Sequence, residues 1–126
     1  MIKKYHNTKY KPKIAVKSRK PTSSLFARNK VIFIDVDGTL KQHGTLNTKL
    51  VDWCRTKKQE GFELVLWSSR GEQYARSFAD HHSISDIFDK IISKPGYIVD
   101  DVGWSWVRFT GIFSLRHITG NKGKNE

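Results

Sequence analysis

The apolar run Val31-Ile32-Phe33-Ile34 stops at Asp35-Val36-Asp37-Gly38-Thr39. A short, unbroken apolar run reads as a strand buried on both faces, as in a parallel sheet. Two carboxylates at its C-terminal end fall where open α/β sheets bind their ligands, outside the carboxyl ends of the strands. An Asp-Gly pair also ends many strands as a plain turn. But Asp-x-Asp-Gly-Thr fixes four residues, and at roughly 1 in 20 per position about one chain in a thousand of this length would match by chance. The stretch therefore constrains both fold and chemistry.

From Val31 onward the chain alternates strand and helix. Val31 to Asp35 is the first strand, and a polar loop runs through His43-Gly44-Thr45. Leu46, Leu50, Trp53 and Cys54 share one face of a helix over Asn47 to Glu60, stopped by Gly61. Phe62 to Trp67 predicts a second strand. Glu72 to Asp80 predicts a second helix, with Tyr74, Ala75, Phe78 and Ala79 as its apolar positions. Phe88 to Ile92 and Tyr97 to Val99 predict further strands. A helical segment around Trp104–Phe109 and a strand near Gly111–Leu115 close the pattern. Such alternation predicts an α/β fold: a single Rossmann-like domain, a mostly parallel sheet with helices on both faces. No internal repeat is present.

Charge divides the chain differently. Residues 1–30 hold ten Lys and Arg and no Asp or Glu, whereas the rest holds 13 basic and 12 acidic side chains. Nearly all of the net +11 therefore sits in the N-terminal quarter. The expected organisation is a basic N-terminal arm over 1–30, a compact domain over 31–120 and a short polar tail over 121–126. Within the arm, Lys13-Ile14-Ala15-Val16 is a candidate edge strand. The arm reads as a solvated tail, as a nucleic-acid contact through phosphates, or as a targeting peptide. Tyr5 and Tyr10 among the lysines could stack on bases; the lack of acids favours targeting, while the excess of Lys over Arg disfavours it. No apolar run is long enough to span a bilayer, and no secretory signal is visible. A single cysteine, Cys54, fits a reducing cytoplasm.

Phosphoryl transfer to a carboxylate needs an anionic nucleophile, a screening metal ion, donors for the phosphate oxygens and a proton donor for the leaving group. Asp35, at the strand end, is the candidate nucleophile. Asp37, two residues on, points to the same side if extended geometry persists, and can serve as acid and base. Gly38 permits a tight turn that brings backbone N–H groups towards a phosphate. Ser68 ends the second strand, and its hydroxyl together with the Ser69 backbone N–H can bind phosphate oxygens. Lys94 is a candidate phosphate cation. Asp100-Asp101 comes directly after the apolar triplet Tyr97-Ile98-Val99; adjacent carboxylates repel unless a cation relieves them, and Mg²⁺, a hard cation taking oxygen ligands, suits that demand.

In this order the four motifs resemble those of the haloacid dehalogenase-like (HAD) hydrolase superfamily. Asp35-Val36-Asp37-Gly38-Thr39 is similar to its first motif, Ser68 to its second, Lys94 to its third and Asp100-Asp101 to its fourth. The resemblance covers residues 31 to about 101, and the first motif is the most specific. It implies a Mg²⁺-dependent phosphomonoester hydrolase working through an aspartyl-phosphate. Asp35 would be nucleophile and metal ligand. Asp37 would be acid/base and supply a carbonyl to the metal. Ser68, Ser69 and Lys94 would hold the phosphoryl group, and Asp100 and Asp101 would complete the metal site. Lys94 lies only six residues before Asp100, a spacing that resembles small members found in bacteriophages, for which the host cytoplasm is the expected location. Neither interval of this chain has room for the family's cap domain, which implies an open site for a large substrate, such as a nucleic-acid end or a protein, or closure by a partner subunit; nucleotide or polynucleotide phosphate ends are the candidate substrates.

A second reading makes the chain a nucleic-acid-binding protein on a HAD scaffold, with catalysis vestigial or secondary. Other features have plainer expectations. Asp35-x-Asp37-Gly38 is no EF-hand, since position twelve would be Leu46. His81-His82 reads as a solvated helix end. Trp104 and Trp106 read as packing residues, with base stacking as the alternative. Arg70 either steers an anionic substrate or forms a surface ion pair.

Overall fold

The computed structural model describes residues 27–120. Most of the basic arm, including the strand expected at 13–16, and the polar tail lie outside the described residues. The chain divides into two compact units, one holding residues 29–96 and 115–120, the other residues 27–28 and 97–114.

The larger unit is α/β. Its parallel sheet has the order β1 (Val31–Asp35), β4 (Glu63–Ser68), β5 (Lys90–Ser93). Helix α1 (Thr48–Gln59) connects β1 to β4, and α2 (Glu72–His81) connects β4 to β5. Both crossovers step the same way along the sheet. Right-handed connections in one direction put their helices on one face. Accordingly Ile34, Leu64, Leu66 and Ile91 of the sheet share a single buried cluster with Leu50 and Cys54 of α1 and Ala75 and Ala79 of α2. The two connecting helices thus share one face; on the opposite face Val65 is buried, while Val31 and Phe33 stay 37% and 47% exposed. Cys54 is buried in that core, and burial pushes its thiol up to about 12, so it behaves as a small apolar residue.

The stretch read as a polar loop is a small antiparallel hairpin, β2 (Lys41–Gln42) and β3 (Thr45–Leu46). His43 and Gly44 turn it, both at positive φ (51° and 78°), the pairing that suits the twist of a two-residue hairpin loop. Asn47 then caps α1. Its side-chain oxygen accepts from the Leu50 N–H at 3.2 Å, and its amide donates to the Thr39 carbonyl at 3.2 Å. One residue thus starts the helix and ties down the loop that carries the acidic motif.

The strands expected at 97–99 and 111–115 are not formed. Tyr97 and Val99 are 80% and 102% exposed, so the triplet has no ladder to join. Residues after the acidic pair form a 3-10 helix, Gly103–Phe109. Leu115–Thr119 is instead a one-turn helix, α3, whose Leu115 and Ile118 pack on the core of the larger unit. Their i, i+3 spacing suits a helix turn and would split them across a strand's two faces. No helix among the described residues is long and apolar enough to cross a membrane.

Candidate active site

The acidic motif is held from below. Val36, between the two aspartates, and Leu40 are both fully buried, which turns the flanking carboxylates towards solvent. Gly38 takes φ 81°, and the Leu40 and Lys41 N–H groups donate back to the carbonyls of Asp35 and Val36 at 3.2 and 2.8 Å. The turn expected at Gly38 is therefore present. The Gly38 N–H, however, donates to the Lys41 carbonyl at 2.9 Å, so it is committed within the turn and not to a ligand.

Three neighbouring strand ends converge. Lys94, just past β5, puts its ammonium 3.3 Å from Asp35 Oδ1 and 5.5 Å from the centre of the Trp67 ring. Its backbone N–H donates to the Ser68 carbonyl at 3.0 Å, which locks the ends of β4 and β5 together. Asp35 and Lys94 are each about one-third exposed, 34% by side chain, so both remain reachable. Ser68 is buried, and its hydroxyl oxygen accepts from the Arg70 N–H at 2.9 Å. The hydroxyl proton is left to be donated elsewhere, while the oxygen shapes the turn into α2. Ser69 is exposed on that turn.

Asp37 is gripped by α2 and its approach. The Tyr74 hydroxyl donates to Asp37 Oδ1 at 2.7 Å, and Arg70 stands 3.6 Å from Oδ2. The Arg70 guanidinium lies 4.1 Å over the Tyr74 ring, and Lys41 donates to the Tyr74 hydroxyl at 3.3 Å. Arg70 thus forms the surface ion pair, and that pair is at the acidic motif. Tyr74 and Lys41 are additions to the set expected from sequence. Tyr74 counted only as an apolar position of α2, yet in the first turn after Ser68 its hydroxyl faces the motif. His82, at the other end of α2, is half-buried against Phe78, with ring centres 4.5 Å apart, and is less solvated than expected. Burial, then the charges of His81 and Lys41, hold its pKa below the usual histidine value.

Asp100 and Asp101 lie in the smaller unit. Both are exposed, and Asp100 Oδ1 accepts from the Val102 N–H at 2.9 Å, an Asx turn that leads into the 3-10 helix. No group of three or more His, Cys, Asp or Glu side chains suited to a metal gathers among the described residues. Mg²⁺ usually needs fewer: it keeps several waters and binds through one or two carboxylates plus substrate phosphate. Asp35 and Asp37 are of that type and number.

Compared with protein-family models, curated proteins and solved structures, the chain matches none of them. Its chemistry has to be argued from the site itself.

Proposed function

We propose that the chain is a Mg²⁺-dependent phosphomonoester hydrolase of the HAD type, with a Rossmann-like domain, acting through an aspartyl-phosphate. The observation that carries this reading is the meeting of Asp35, at the end of β1, with Lys94, just past β5, at 3.3 Å across the end of β4. A carboxylate nucleophile facing a phosphate dianion needs positive charge beside it, and Lys94 supplies one.

The reaction then runs in two steps. An Asp35 oxygen attacks phosphorus while the bond to the leaving oxygen breaks, and Asp37 gives that oxygen its proton. Water next attacks the aspartyl-phosphate, Asp37 takes the water's proton, and inorganic phosphate and free Asp35 are released. Lys94, the Ser68 hydroxyl and the Ser69 N–H hold the phosphoryl oxygens. Tyr74 and Arg70 keep Asp37 in place, and Arg70, 61% exposed, also faces an incoming anion. Asp35 and the Asp37 carbonyl would hold Mg²⁺, with water completing its shell. The ion would screen the nucleophile from the phosphate and polarise the phosphoryl group.

Purified full-length protein should hydrolyse a generic aryl phosphate with Mg²⁺ and stop when the metal is chelated. Turnover that persists in chelator would overturn the metal-dependent reading. The second reading, a nucleic-acid binder on this scaffold, gains support from the exposed aromatic side chains of the smaller unit, and it predicts binding that survives Asp35→Asn.

A further inference from the structure

The two aspartates of the motif have different neighbours, all of them in the larger unit. Asp35 faces one cation, Lys94, on the side that receives the phosphoryl group. Asp37 faces a cluster built on Tyr74, whose hydroxyl donates to it. Arg70 stands 3.6 Å from Asp37 Oδ2, and its guanidinium lies 4.1 Å over the Tyr74 ring. Lys41 donates to the Tyr74 hydroxyl at 3.3 Å. Among the described residues Arg70 pairs with no carboxylate besides Asp37, and Lys41 pairs with none. Two cations against one carboxylate leave this side of the motif net positive. The Arg70 side chain is 61% exposed. Stacking on a ring holds a guanidinium in place while its fork of N–H donors stays open to an anion.

We infer that Arg70 and Lys41 form a second anion site on the leaving-group side, so that the substrate class is phosphomonoesters carrying a second phosphate or a carboxylate. This step rests on the proposed phosphatase, in which Asp37 protonates the leaving oxygen. An acid must come within about 2.6–3.2 Å of the oxygen to which it gives its proton. Whatever is attached to that oxygen therefore lies against the neighbours of Asp37. Arg70 and Tyr74 reach the Asp37 carboxylate directly, and Lys41 is one hydroxyl further on. A guanidinium fork binds phosphate or carboxylate oxygens in pairs, and an ammonium adds a point charge. A neutral leaving group gains nothing from either cation. An anionic one meets two groups that the Tyr74 side chain already holds, so little freedom is lost on binding.

Three esters built on one ring test the inference on full-length protein with Mg²⁺: phenyl phosphate, 3-carboxyphenyl phosphate and 1,3-phenylene bisphosphate. The readout is the ratio of kcat/KM, per ester group, for each charged probe over phenyl phosphate. A ratio cancels the loss of rate that follows from disturbing Asp37. Wild type should favour a charged probe by about fivefold, the upper range for an exposed ion pair, and the preference should shrink as salt rises. Which probe gains more separates phosphate from carboxylate recognition. Arg70→Ala should bring the ratio close to one, Lys41→Ala should lower it, and Arg70→Lys should restore part of it. Arg76→Ala removes a cation already paired with Glu72 at 2.9 Å and should leave the ratio as in wild type. Phenylphosphonate and 3-carboxyphenylphosphonate, whose C–P bonds stay intact, are titrated calorimetrically into the same preparations. A ratio near one in wild type, or one unchanged by Arg70→Ala, would overturn the inference and leave the phosphatase standing. Tighter binding of the carboxylated phosphonate, lost in Arg70→Ala, in a protein that hydrolyses nothing would uphold the anion site and sink the phosphatase alone.

Discussion

Two apolar stretches of similar composition meet opposite fates in this chain. Val31-Ile32-Phe33-Ile34 becomes β1, pairs with β4 along five residues and buries Ile34. Tyr97-Ile98-Val99 forms no strand, and two of its three side chains are exposed. The difference lies in the residues just past each stretch. Val36 and Leu40 give the end of β1 two further buried anchors, and Asn47 ties the loop to α1. After Val99 come two exposed carboxylates and a 3-10 helix with no buried residue. Composition makes a strand available; partners along the ladder and anchors beyond it decide whether it forms. The ordered stretch fixes reactive groups to within hydrogen-bonding distance. The open one offers ring faces to solvent.

Substitutions sharpen that contrast. Leu66→Ala, at the centre of the sheet and fully buried, should cost about 2–5 kcal/mol of unfolding free energy by denaturant titration. Val99→Ala should change it by less than about 0.5 kcal/mol. Comparable losses at the two sites would mean that the 97–99 triplet is part of a cooperative core. At the site, Tyr74→Phe removes the hydroxyl that donates to Asp37. It should lower kcat/KM for an aryl phosphate about tenfold, the scale of one hydrogen bond to a charged group. An unchanged value would remove Tyr74 from the machinery.

The smallest effect expected is on the pH dependence of stability. The Leu64 N–H, and after it Lys58, hold the Asp89 carboxyl below its usual 3.8. The folded state therefore binds fewer protons there than the unfolded chain. The contribution is complete above that value and is lost as pH falls through the lower folded one. His82 has the same sign in a higher window: its contribution is present above 6.5 and shrinks as pH falls below it. Denaturation midpoints measured from pH 7 down to pH 3 should fall in both windows. Asp89→Asn should flatten the lower one and His82→Gln the upper.

The larger unit was legible because its signals are local and repeated. Strand β4, α1, α2 and β5 fall within two residues of the expected limits, since apolar runs and i, i+3/i+4 faces persist over several residues. The hairpin at 41–46 was not: two residues per strand are too few to show an alternation. Nor was α3, where one turn leaves only the pair Leu115 and Ile118 to declare a period. In the site, Asp35, Lys94 and Arg70 could be read from their places at strand ends. Tyr74 could not, because its ring satisfied the apolar face of α2 and hid the role of its hydroxyl. For Asp100 and Asp101 the expected setting, a strand end, is absent, and the proposed metal site does without them.

Everything proposed for the site turns on Asp35 as nucleophile. Wild-type protein turning over an aryl phosphate with Mg²⁺ should be quenched in acid, digested and mapped by mass spectrometry. A phosphoryl group is expected on the peptide bearing Asp35, discharged by hydroxylamine, with both label and turnover absent in Asp35→Asn. Turnover that survives Asp35→Asn, or a phosphoryl group trapped on another residue, would contradict the assignment.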